Sequence, residues 1–147
     1  MTPQEIELVQ KSFAKVAPVA EQAAEMFYAR LFELDPSVKQ LFTGDMKEQE
    51  KRLMAMISVA VKGLDHIEDL VPAVQELGRR HVDYGVHQDH YATVGVALLG
   101  TLEKMLGDDF PSEVKEAWSS VYKLLATTMM NAAASAQEEI GSKQVTA

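Results

Sequence analysis

An all-α domain of six to seven helices is what the sequence predicts, and three observations carry that reading. Apolar residues recur at helical spacing along nearly every segment. No stretch sustains the alternation of apolar and polar residues that a half-buried strand needs. Pro, Gly and Asp punctuate the pattern at short intervals. The 147 residues fit one domain, and 47% of them are apolar, enough for a sizeable core. No repeat, linker or low-complexity tract divides the chain, so residues 1–137 read as one domain and 138–147 as a polar tail.

Each element has its own signal. Thr2-Pro3-Gln4-Glu5 is a helix start, with a Thr cap, Pro in the first turn and Glu three residues after the cap. Ile6, Val9, Phe13 and Val16 then repeat along one face. Pro18 restarts the pattern, and Ala20, Ala24, Phe27, Leu31 and Leu34 carry it to the breaker Asp35-Pro36. A short turn holds Val38, Leu41 and Phe42, and the loop Thr43-Gly44-Asp45 follows. The clearest face is Leu53, Met56, Ile57, Ala60, Val61 and Leu64, closed by Gly63 and Asp65. A shorter helix near residues 68–83 puts Val74, Leu77, Gly78 and His81 on one side, and Gly85 is placed to end it. From about Asp89 a long helix runs through Val94, Leu98, Leu102 and Met105 to Gly107. The last begins near Pro111-Ser112, presents Val114, Trp118, Val121, Leu125 and Met129, and frays after Gln137.

The bulk composition excludes several chemistries. With no cysteine there are no disulfides, thiolate nucleophiles, iron–sulfur clusters or thioether-linked haem. A net charge of −8 argues against a nucleic-acid backbone as partner, which needs a basic stripe. Glu5, Glu7 and Lys11 occupy the place of a signal peptide's apolar run, and no apolar stretch reaches the roughly 20 residues of a membrane span. The expectation is a cytoplasmic protein with no membrane and no nucleic-acid partner.

Three of the four histidines fall in "LGRRHVDYGVHQDHY", residues 77–91. His81 lies on an otherwise apolar helix face, as a core residue with one satisfied hydrogen bond or as a metal ligand facing a non-protein partner. Gly78 removes a side chain one turn earlier on that face, leaving room for something flat. Asp83, His87 and His90 offer an alternative zinc or copper set around the Gly85 turn. His66, in a loop after Asp65, needs no explanation.

The stretch from Leu77 to Leu99, "LGRRHVDYGVHQDHYATVGVALL", resembles the proximal segment of globins. It is most similar to bacterial single-domain haemoglobins, the globin domain of flavohaemoglobins and neuroglobin-like globins. "FYARLFELDPSVKQLF" (27–42) resembles the family's second helix and the turn after it, "QEKRLM" (49–54) its distal helix and "AWSSVY" (117–122) its last one. These matches, in order over roughly residues 2–135, identify the chain as resembling a globin, which implies a fold packed around a haem b pocket.

The resemblance assigns roles. His81 matches the proximal ligand of haem iron, its second nitrogen expected to donate to a carbonyl one turn back, that of Leu77. Phe42 matches the aromatic wedged against the porphyrin. Tyr28 and Gln49 match the distal hydrogen-bond donors to O2, CO or NO, and would be the catalytic pair of a dioxygenase. Leu53 matches the apolar ceiling over the ligand. Arg52 and Arg80, with Arg79, are candidates for a haem propionate, and Val86, Val94, Leu98 and Met129 for haem contact. Tyr91 matches the flavohaemoglobin tyrosine that acts with a glutamate near the proximal histidine. That glutamate falls at Ala133 here, with Glu138 and Glu139 out of phase, so the proximal ligand should be less electron-donating.

The function implied is reversible, high-affinity O2 binding. The chain ends where flavohaemoglobins continue into a reductase, and it holds no Gly-rich dinucleotide motif, so multi-turnover redox chemistry implies an external reductase. The alternatives are a nitric oxide dioxygenase supplied by such a reductase, a haem-based gas sensor, and a globin-fold interaction module without haem.

Overall fold

The computed structural model describes the backbone of residues 2–83, 86 and 88–146, and the side chains of residues 2–82, 86 and 89–135. Among the described residues six α-helices form and no strand does: α1 (Pro3–Val16), α2 (Ala20–Leu34), α3 (Met46–Lys62), α4 (Ile67–Asp83), α5 (Gln88–Leu106) and α6 (Ser112–Thr146). Short 3-10 turns at Ala17–Val19, Pro36–Leu41, Gly63–His66 and Gly107–Asp109 join several of them. No helix among the described residues is long and apolar enough to cross a membrane.

The helix starts follow from local chemistry. Glu5 N donates to Thr2 Oγ1 at 3.1 Å and Thr2 N to Glu5 Oε1 at 3.2 Å, a reciprocal cap that satisfies two otherwise orphan donors. Asp45 caps α3 by accepting from Lys47 N at 2.9 Å. One feature departs from the sequence reading, and another lies within it. Pro72 sits inside α4, within the helix read near residues 68–83, where it removes the N–H that would reach the Glu68 carbonyl; Glu68 is exposed, so water can serve that carbonyl. The α6 backbone stays helical to Thr146, past Gln137, because no proline interrupts the segment.

The main core lies among α1, α3, α5 and α6, with Val9, Phe13, Val61, Leu102 and Trp118 at its centre. Trp118 Nε1 donates to Ser12 Oγ at 2.8 Å, and Ser12 Oγ donates on to the Leu8 carbonyl at 2.8 Å. The indole is thereby buried with its one polar atom satisfied. A second cluster, Phe27, Tyr28, Leu31, Val38 and Ala97, sits between α2, the turn after it and α5.

Gly78 needs a different explanation from the one its spacing offered. A Cβ there would lie 2.4 Å from the Met129 carbonyl oxygen and 2.7 Å from its Cα. The glycine therefore lets α4 close directly onto the α6 backbone. The room it makes is taken by protein, and Met129 contributes backbone to that contact.

Candidate functional site

The last turn of α4 presents His81, whose Nδ1 lies 2.7 Å from the Leu77 carbonyl. A carbonyl only accepts, so Nδ1 carries the proton and Nε2 the lone pair, the tautomer that a metal ion requires. Burial pushes the imidazole pKa down, against the raising effect of the Leu77 bond, and so favours the neutral ring. Beyond α4 the chain is held back on this turn, since Val86 N donates to the His81 carbonyl at 3.0 Å. Val86 itself is half-buried.

Tyr91, on the first turn of α5, places its ring 6.4 Å from that of His81 with the planes 33° apart. Its hydroxyl is buried and has no hydrogen-bond partner among the described residues. An orphan hydroxyl of this kind is rare enough to require an account. Ala133, where the sequence resemblance would place a partnering glutamate, offers no acceptor side chain, and the side chains of Glu138 and Glu139 lie outside the described residues. From α6, Tyr122 donates its hydroxyl to the Tyr91 carbonyl, which pins the start of α5.

The second group of residues forms around Tyr28, which is 5% exposed. Its ring meets Phe27 at 5.0 Å and Phe42 at 5.3 Å, both nearly edge-on, and Phe32 at 6.0 Å. Edge-to-face packing is the favourable arrangement for such rings and fixes the phenol in place. Gln49 Nε2 donates to Tyr28 Oη at 3.3 Å, reaching from the first turns of α3 to α2. Leu53, one turn beyond Gln49, packs against the same cluster, as do Val94 and Leu98.

Helix α5 joins the two groups. Tyr91, Val94 and Leu98 stand at offsets 0, 3 and 7, which is one helix face. That face meets His81 at its start and the Tyr28 cluster further along. Behind Leu53 and Leu98 lies a small cavity of about 20 Å³, also lined by Phe27, Ile57, Thr101 and Trp118, while Leu98 packs against both the cluster and the main core.

The arginines are peripheral. Arg52 is exposed on α3, and no ion pair engages it among the described residues. Arg79 and Arg80 are exposed and both reach Glu76, at 3.4 Å and 3.7 Å. The Asp83, His87 and His90 set cannot be assembled here, because His87 and the Asp83 side chain lie outside the described residues; His90, on the first turn of α5, has a partner. Among the described residues no group of three or more metal-ligating side chains forms. His66 is exposed. Sequence reasoning missed Tyr122 and the cavity, since both depend on how helices meet.

The donor set fits haem. One neutral imidazole with its tautomer fixed, an aromatic and aliphatic wall, and two polar side chains converging within that wall are what a porphyrin and a small iron ligand require.

Comparison with known proteins agrees with this arrangement. The sequence pattern of the Globin family matches residues 25–129. A flavohemoprotein of Xylella fastidiosa (strain 9a5c) is 32% identical over 145 residues, 97% of this chain and 36% of that protein. One of Rhodopirellula baltica is 32% identical over 137 residues, 91% of this chain and 34% of its own length. The chain thus spans about a third of these relatives. A bacterial globin from Campylobacter jejuni superposes with a TM-score of 0.82 at 25% identity, covering 93% of this chain and 99% of that one. An engineered carbene transferase from Rhodothermus marinus gives 0.87 at 22% identity, covering 96% and 99%, a likeness of fold alone.

Proposed function

The chain belongs to the globin family, and on that premise we propose that it holds haem b through His81 and binds O2 reversibly at a site governed by Tyr28 and Gln49, with CO and NO as competing ligands. When bound, haem supplies the iron at which a diatomic gas is captured. The chain's own work is to hold, orient and exclude. His81 is presented in its metal-binding tautomer by Leu77, and Phe42, Val94 and Leu98 supply apolar wall. The lack of cysteine favours non-covalent retention.

The observation that carries this reading is the Gln49–Tyr28 hydrogen bond inside a buried aromatic cluster. Because Tyr28 Oη accepts from Gln49, its O–H proton is available to a ligand in the pocket. A second donor is available if the Gln49 amide turns. Hydrogen bonds to a charge-bearing acceptor are worth roughly 1–3 kcal/mol each, so two slow release by about one to four decades. Slow release suits scavenging over bulk delivery. The test is the rate of O2 release from the reduced, haem-loaded chain: Tyr28→Phe is expected to release O2 about 5- to 150-fold faster. An unchanged rate would overturn the distal assignment.

A second reading, nitric oxide dioxygenase activity, is favoured by the flavohemoprotein likeness over 97% of the chain. It requires an electron donor outside these residues. Nitrate formation from NO that continues only when a reductase is added would support it; one equivalent consumed regardless of donor would leave O2 binding as the function.

A further inference from the structure

His81 and Tyr91 set their rings 6.4 Å apart from different helices, yet α4 packs chiefly on α6 and α5 chiefly on α2. The spacing of the two rings therefore depends on what ties α5 to α6. On the α4 side the tie is Gly78, where the helix closes on the α6 backbone at Met129. On the α5 side a second glycine plays the same part. A Cβ at Gly95 would lie 2.9 Å from Tyr122 Cε2 and 3.2 Å from Tyr122 Cδ2, so the Tyr122 ring of α6 lies against bare α5 backbone.

Tyr122 grips one helical turn at both ends. Its ring covers Gly95, and its hydroxyl donates to the carbonyl of Tyr91, four residues earlier. Residues four apart are the partners of a backbone hydrogen bond in a helix. A carbonyl has two lone pairs, so the Tyr91 oxygen can serve its helix and still accept from Tyr122. Burial pushes the Tyr122 phenol up, and the neighbouring Tyr91 pushes it further, so the donor keeps its proton. Tyr91 sets its own ring beside His81, while its hydroxyl has no hydrogen-bond partner among the described residues. Packing and the backbone at residue 91 are thus what place that ring, and Tyr122 holds the backbone.

We propose that Tyr122 is a positioning residue for His81: by clamping the turn from Tyr91 to Gly95 onto α6, it sets the Tyr91 ring against the imidazole. Leu77 fixes that imidazole from within α4, through its carbonyl. Tyr91 bounds the same ring from α5, and only this second restraint depends on how helices meet. A ligating side chain keeps its geometry when the residues around it are themselves fixed. This deepens the proposed function by naming what supports its proximal side, and it rests on that reading only for the iron.

The experiment uses the full chain as purified, reduced and under carbon monoxide, with histidine labelled in its ring and followed by NMR. His81→Gln identifies the His81 resonances. Tyr122→Phe, which keeps the ring and removes the hydroxyl, is expected to shift the His81 ring protons through the displaced Tyr91 ring and to leave exposed His66 in place. Gly95→Ala, which pushes Tyr122 off the turn, is expected to shift them as well. In a Tyr91→Leu background Tyr122→Phe is expected to leave them unmoved, because the coupling passes through Tyr91. Unmoved His81 protons in the single Tyr122→Phe variant would overturn the proposal, and so would a shift that persists in the Tyr91→Leu background. In the hemin-loaded chain Tyr122→Phe is expected to lose hemin roughly 2- to 12-fold faster, the worth of one hydrogen bond, and an unchanged rate would overturn its role in the site. A chain that shows no haem absorbance contradicts the functional reading alone, because the His81 shift still reports on the clamp.

Discussion

The Nδ1 of His81 lies 2.7 Å from the Leu77 carbonyl one turn earlier on α4, so the ring's rotation and tautomer are both set by its own helix. Burial holds the imidazole pKa below its ordinary value. With the folded value depressed, the neutral ring's contribution is fully present above the unfolded value of about 6.5. It is lost only as pH falls through the lower folded value. Haem is therefore expected to stay bound down to about pH 6.5 and to be released only at lower pH, as the depressed folded value is passed. Soret absorbance against pH checks this, and half-loss above about pH 6.5 would contradict it.

Tyr91 carries a buried hydroxyl that has no hydrogen-bond partner among the described residues. Removing an orphan polar group spares its desolvation cost, so Tyr91→Phe is expected to be neutral or to stabilise, by up to about 1–3 kcal/mol. The denaturant midpoint of the chain as purified measures it. A loss of more than about 1 kcal/mol would mean that the hydroxyl has a partner when the protein is loaded.

Gly78 allows α4 to touch the α6 backbone at Met129. Backbone cannot swing aside as a side chain does, so Gly78→Ala should force the helices apart at a cost of roughly 1–3 kcal/mol. The readout is the midpoint of chemical unfolding. Unaltered or increased stability would show that the close approach is not required.

Trp118 is 2% exposed and fills the space between α1 and α6 while reaching Ser12. Trp118→Ala is expected to lose about 3–5 kcal/mol, and Trp118→Phe less, with Ser12 Oγ deprived of its donor in both. Equal losses in the two variants would place the stabilisation in the hydrogen bond and not in the packed ring.

Helices were legible in the sequence wherever a local rule decides them. Thr2 and Glu5 announce their cap, Asp35-Pro36 the end of α2, and Leu53, Ile57 and Val61 the inward side of α3, whereas Met56 on the same predicted face is 45% exposed. The site was legible through resemblance, since no spacing rule brings Tyr28, Gln49 and His81 into one account. What stayed hidden depends on contacts between helices. Gly78 read as space for a flat ligand because its neighbour, Met129, is 51 residues away in the chain. Tyr122 resembles an ordinary helical residue until Tyr91 is seen beside it. Pro72 was silent in the sequence pattern because a proline early in a helix breaks only one hydrogen bond.

The most direct test of the central claim is the visible absorption spectrum of the purified chain after hemin is added, compared with that of His81→Ala. The native chain is expected to take up stoichiometric hemin and, once reduced, to shift its Soret band under carbon monoxide, while His81→Ala fails to retain the hemin. Native protein that stays colourless, or a His81→Ala variant that holds hemin as tightly as the native chain, would contradict the assignment of His81 as the iron's protein ligand.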